Sequence, residues 1–219
     1  MQKIIKIWNL YYMTFWKGLW GTLWLSAMTV FFGTLLGMLI ALMHMGKSKI
    51  LRGFADIYIE ILRGTPILLQ LYFFWIGLPK IIPFDLTDTQ CILVALIVNA
   101  SAYISEIIRA GINAVDKGQW EAARSIGLTE THVMTRIILP QAVKNILPAL
   151  ANEYIAMIKE TSLAGTFMLY ELMYTRTLLA NKFLVWQPLF IIAGIYLMCT
   201  LVLSWGVRKM EERLSVSER

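Results

Sequence analysis

The sequence predicts an all-α integral membrane protein of five transmembrane helices, with its N-terminus outside and its C-terminus inside. Three observations predict it. Hydrophobic residues make up 58% of the 219 and charged residues only 16%, where a soluble domain averages about 45–50% and about 25%. Mean hydropathy is +0.63, more apolar surface than a soluble fold of this size can hide. The apolar residues also gather into stretches near the length, about 20 residues, that a helix needs to cross a bilayer. A disordered chain and a disulfide-stapled scaffold are excluded, and a soluble enzyme is disfavoured.

Each span follows from its own residues. Stretches 18–46 and 183–207 hold no Asp, Glu, Lys or Arg. Three others are apolar but interrupted: 54–79 carries Asp56, Glu60 and Arg63, 88–111 carries Glu106 and Arg109, and 144–160 carries Glu153 and Lys159. Charge inside a span is costly, so these groups are expected to face protein or a water-filled cavity. Orientation follows from the basic residues. Twelve Lys and Arg fall in the 46–54 loop, the 109–144 segment and the C-terminal tail, against six in the N-terminus, the 80–88 loop and 161–182. The richer set belongs in the cytoplasm.

The predicted organisation is an extracytoplasmic, interfacial segment over 1–17, a single transmembrane domain over 18–207, and a cytoplasmic tail over 208–219. Residues 3–16 are aromatic-rich and suit the membrane interface. The start of the chain lacks a small-residue cleavage site and does not read as a removable signal. Cys91 and Cys199 lie in apolar runs and read as small buried hydrophobes. His44 and His132 stand far apart, and no Cys/His cluster suggests a metal site. The formal charge of +6 suits a lipid surface; no basic face outside the spans suggests nucleic acid.

Residues 116–140 are too polar to insert and too well patterned for a loose loop. Trp120 to Ile126 reads as a short helix, and Gly127 as its stop. Thr129 reads as the cap of a second helix, with His132 three residues on. Pro140 is expected to break that helix before the fourth span. In 161–182, Leu163-Ala-Gly165 could turn the chain, and the remainder could be a short surface helix or a simple connector.

These strings resemble a known family. Glu121-Ala122-Ala123, then Gly127, Ile137 and Leu139-Pro140, fill every fixed position of the EAA signature of ABC importer permeases. Glu60-Ile-Leu-Arg-Gly-Thr-Pro66, Ser101-Ala-Tyr-Ile-Ser-Glu-Ile-Ile-Arg-Ala-Gly111 and Lys159-Glu-Thr-Ser-Leu163 resemble the polar amino acid permeases, the histidine, glutamine and arginine type. The resemblance runs from about Thr22 to Val207. It implies a type I importer permease in the bacterial cytoplasmic (inner) membrane. Two permease subunits, identical or related, would form the pathway, and an extracytoplasmic binding protein would deliver an amino acid. Two cytoplasmic ATPase subunits would hold the ATP and Mg, leaving no cofactor in this chain. Segment 116–140 would be the coupling helix seated in the ATPase. Ala122 and Ala123 would allow close approach there, and Glu121 would offer a charge. No P-loop string is present, so ATP hydrolysis is not expected of this chain. The alternatives are a stand-alone secondary carrier or channel, which usually shows internal repeats, and a membrane anchor with no pathway.

Candidate pathway residues follow from helical spacing. Glu153 and Glu160, seven apart, share a face, with Asn152 and Thr161 beside them. Asn99 and Tyr103, four apart, share another. Buried carboxylates favour a cationic side chain or an α-amino group. Glu153 could instead pair with Arg63 or Arg109, and Glu160 could sit at the surface beside Lys159. Arg63 follows Glu60 by three and Arg109 follows Glu106 by three, so each is a candidate same-face pair or gate element. Pro66, after Gly64-Thr65, and Pro148 are candidate hinges, because proline removes a backbone hydrogen bond.

Overall fold

A computed structural model describes residues 2–183 and 186–216. Residues 184 and 185 of the expected fifth span, the Lys182 side chain, and Arg219 at the end of the tail lie outside them. Among the described residues every regular element is helical. Helices α1 (Gln2–Met45), α4 (Asp88–Asn113) and most of α9 (Gln187–Val216) are long and apolar enough to cross a membrane, and α2 (Lys49–Gly64) with α3 (Ile67–Ile81) forms a fourth, bent candidate. Helix α7 (Leu139–Glu160) has 22 residues, about 33 Å at 1.5 Å each, but is less apolar than those four.

Helix α1 departs from expectation. It runs unbroken for 44 residues, so 3–16 is helix continuous with the first span. No proline interrupts it, and its early turns have a core to join. Ile7 and Phe15 are buried against Leu172, Leu179, Ile191 and Ile192. Further along, α1 packs on α4 through glycines. A Cβ at Gly37 would lie 2.9 Å from the Ser101 carbonyl oxygen, and one at Gly33 would lie 3.2 Å from Ala100 Cβ. Small residues let helices touch where lipid offers no hydrophobic drive to bring them together.

The expected second span is two helices meeting at 108°. Thr65 and Pro66 both adopt extended backbone, with φ −117° and ψ 146°, and φ −61° and ψ 133°. The proline ring excludes the α region for Thr65 and removes a donor from the helix. The weak point at Gly64-Thr65-Pro66 is therefore a full break.

Pro140 acts differently. The helix begun at Glu130 as the short α6 (Glu130–His132) continues through a π-helical stretch, Val133–Ile138, directly into α7. The Leu139 amide reaches back five residues to the Met134 carbonyl. A wider π turn relieves the clash between the proline ring and the carbonyl four residues earlier. The expected break is thus a bulge in one rod.

Residues 161–182 are more than a surface connector. A 3₁₀ helix, Thr161–Phe167, ends at Met168 with φ 61°, so the turn comes three residues after Gly165. Helix α8 (Leu172–Phe183) then starts against α1. Glu171 is 1% exposed and accepts the amides of Met173 and Tyr174 at 2.7 and 2.5 Å and the Tyr196 hydroxyl at 3.1 Å. Thr22 Oγ1 accepts the Leu172 amide at 3.0 Å. Cys91 is buried as expected, while Cys199 is only partly so.

Gly21 sits directly on the Tyr170 carbonyl. Gly21→Leu should therefore destabilise the protein by about 1–3 kcal/mol through overpacking. The check is a lowered thermal midpoint in detergent with helix content retained below it; an unchanged midpoint contradicts the packing described.

Candidate functional site

Three helices converge on one polar cleft of about 310 Å³. Helix α2 brings Arg63 from its last turn, α4 brings Tyr103, Glu106 and Arg109, and α7 brings Glu153. Glu106 is the centre of its charges. Arg109 grips it through Nε and Nη2 at 2.8 and 2.9 Å, as the three-residue spacing predicted. Arg63 does not pair with Glu60, which is exposed. Its Nη1 donates to Glu106 Oε2 at 3.4 Å, and its guanidinium lies 5.4 Å from the Tyr103 ring centre. Across a helix interface it gains a carboxylate and an aromatic face together, more than an exposed intrahelical pair provides. On the far side, His44 Nδ1 lies 3.8 Å from Glu106 and its Nε2 lies 3.3 Å from Asp56. Two guanidinium groups and two carboxylates face one cleft, the charge pattern that would match a zwitterion.

The other pathway candidates are distributed. Glu153 makes no ion pair among the described residues. Glu160 buries its Oε2 with no hydrogen-bond partner among them. Asn152 is exposed. Thr161 is fully buried, donates to the Ile158 carbonyl at 3.1 Å and lies 3.3 Å from Ser26 Oγ. Asn99 is 2% exposed and gives its amide to Gln70 at 2.9 Å. Gln70 was not singled out from the sequence, although a lone amide in an apolar helix just after Pro66 is a readable signal.

Segment 116–140 folds into a compact unit. Asp116 caps α5 (Lys117–Ser125) by accepting the Gly118 amide at 2.6 Å. Gly127, at φ 80°, ends it. The Gly127 amide returns to the Arg124 carbonyl at 2.9 Å and the Leu128 amide to the Ala123 carbonyl at 3.2 Å, a Schellman motif. Thr129 then caps the next turn at the His132 amide. Arg124 spans the bend to Glu130 with two contacts, at 2.9 and 3.0 Å, and that hydrogen-bonded carboxylate raises the Arg124 pKa. Ala123 faces inward, packed among Val115, Val133 and Ile138; its small size serves the chain's own core. Glu121 and Ala122 are exposed, beside an Ile126 that is 78% exposed.

Residues 33–216 match the family of binding-protein-dependent transport system inner membrane components. The chain belongs to that family. The permease is 36% identical over 205 residues to the arginine transport system permease protein ArtQ of Bacillus subtilis, covering 92% of this chain and 93% of that one. It is 40% identical over 197 residues to a candidate glutamine transport system permease protein, GlnP, of Rickettsia bellii, covering 90% of each. The crystal structure of an amino acid ABC transporter with histidines contains a chain 41% identical, matching at a TM-score of 0.90 over 94% of this chain and 96% of that one. The MetNI methionine ABC transporter matches at 0.81 with 17% identity over 93% and 97%, a likeness of fold. The permease is thus a component of an ABC amino acid importer, a transport subunit and not an enzyme, which answers the carrier and anchor alternatives.

Gly127 has open space around it, so its backbone conformation alone demands glycine. Gly127→Ala should cost about 1–2 kcal/mol locally. Faster amide exchange at Leu128 and Val133, with the spans unchanged, is the expected reading.

Proposed function

We propose that the chain is the transmembrane subunit of an ATP-driven, binding-protein-dependent importer of polar, including cationic, amino acids. Two copies or two related subunits form the pathway across the bacterial inner membrane by five spans, with the N-terminus outside. In this reading 18–207 is the transmembrane domain and 208–219 the cytoplasmic tail, while α1 extends beyond the bilayer. The observation that carries the reading is the cleft: opposed guanidinium and carboxylate groups from α2, α4 and α7, set within an otherwise apolar chain. Glu153 would receive the amino or cationic end of the substrate, with Tyr103 alongside. Arg63, Glu106 and Arg109 would form the gate, and the break at Pro66 its hinge. Glu160 offers a second carboxylate on the same helix face. The names of the two relatives, for arginine and for glutamine, fit a site that tolerates a cationic or uncharged polar side chain.

The exposed edge of α5, with Glu121, Ala122 and Ile126, is the surface we assign to one of two cytoplasmic ATPase subunits, where ATP and Mg bind. Ala123 and Gly127 give that edge its shape from within. A charge-assisted hydrogen bond is worth about 1.5–3 kcal/mol, so Glu153→Gln should lower uptake of radiolabelled arginine about tenfold or more. Glu160→Gln should lower it in the same direction. Wild-type uptake in both variants overturns the cleft. Glu121→Lys should weaken co-purification of the ATPase and abolish uptake; retention of both overturns the coupling assignment.

A further inference from the structure

The break between α2 and α3 raises a precise accounting question. In an unbroken helix the Leu62 carbonyl would accept the amide of residue 66, but residue 66 is proline and has none. Lipid supplies no substitute donor, so the orphan must be satisfied by protein. Gln70 supplies one. Its Nε2 lies 2.8 Å from the Leu62 carbonyl, 3.1 Å from the Thr65 carbonyl and 2.8 Å from Thr65 Oγ1. Its Oε1 accepts Asn99 Nδ2 at 2.9 Å, and that same nitrogen stands 3.4 Å from the Leu62 carbonyl. Both amides are buried, at 7% and 2% exposure.

We infer that Gln70 is a positioning residue for transport: it replaces the donor lost at Pro66 and fixes the break, with Asn99 on α4 orienting it. The turn it holds is the turn that carries Arg63. Gln70 thereby sets where Arg63 stands relative to Tyr103 and Glu106, and it ties α2, α3 and α4 at one point. For its effect on uptake this rests on the cleft as the passage; the geometry of the joint does not depend on that reading.

The test uses the complete transporter reconstituted with its binding protein. Gln70→Asn shortens the arm and withdraws the donor from Leu62. Asn99→Gln lengthens the opposing amide toward a carbonyl it already approaches. Gln70→Asn should lower substrate imported per ATP hydrolysed about tenfold, the effect of one unsatisfied buried carbonyl. The exchange variant Gln70→Asn with Asn99→Gln should recover most of it, a rescue that a merely space-filling role does not predict. A second readout reports the joint alone. In a chain with Cys91→Ser and Cys199→Ser, Arg63→Cys and Glu106→Cys should be bridged readily by a short bifunctional thiol-specific cross-linker that spans the gap left by the two long side chains, more slowly with Gln70→Asn, and readily again in the exchange variant. Slowed cross-linking with unchanged coupling sustains the joint and overturns the cleft as the passage. Unchanged cross-linking overturns the inference whatever uptake does, and so does an exchange variant no better than Gln70→Asn. Asn99→Leu, which leaves Gln70 on Leu62, is the milder variant for a chain that assembles poorly. It should slow cross-linking less than Gln70→Asn, and a larger effect overturns the order of roles.

Discussion

Inside a bilayer no water repairs an unpaired backbone group, and each one left open costs several kcal/mol. The break at Pro66 is organised by that constraint, and burial within protein imposes a like one on irregular points outside the spans. At Pro66 the open carbonyl is covered by Gln70. At Pro140 the backbone stays helical by widening to a π turn. At the start of α8 the open amides are taken by Glu171 and by Thr22 from another helix. In two of the three cases the repair arrives as a side chain, and where it comes from a distant part of the chain it also fixes how the helices sit.

That has a consequence for the cleft. Polar groups that satisfy backbone are committed: Asn99, Gln70 and Thr161 spend their hydrogen bonds within the chain. In the proposed reading, groups that are not committed in this way are the ones left to meet a substrate. Glu153 and the Glu160 Oε2 atom stand in that class among the described residues. Glu106 is intermediate. It is held by two arginines from two helices, so a shift of α2 against α4 would loosen one grip while leaving the other, intrahelical, intact.

Much of this was legible in the sequence. Local rules sufficed where the cause was local: the Gly127 stop, the Thr129 cap and the Glu106–Arg109 pair all depend on residues within a few positions. The apolar stretches located the main helices for the same reason, since lipid reads composition directly. What failed to show depended on partners distant in the chain. Arg63 lies 43 residues from Glu106, so spacing pointed instead to Glu60. Residues 3–16 read as a separate segment because the partners that bury Ile7 and Phe15, between Leu172 and Ile192, come from the other end of the chain. Pro140 looked like a break because a π turn costs nothing visible in the residues around it. Gln70 stands out little in the sequence because its partners are a carbonyl eight residues earlier and an amide on another helix.

The packing also indicates how motion at α5 would travel in the proposed cycle. Ala123 shares one core with Ile112 in the last turn of α4, with Val115 just beyond it, and with Ala142 and Ile146 in the first turns of α7. Gly111 of α4 lies directly against Ile146. Leu150 and Ile108 adjoin that core and also the next one, around Ala100, Ile104 and Met157. Close-packed cores transmit displacement and do not absorb it. A push on the exposed edge of α5 would therefore move the lower turns of α4 and α7 as a unit, and these are the turns that carry Glu106, Arg109 and, farther along, Glu153. Arg63 rides on α2, outside that core and tied to α4 through Gln70 and Asn99. The pair that such a push strains is Arg63–Glu106, at 3.4 Å already the longer of the two arginine contacts to that carboxylate.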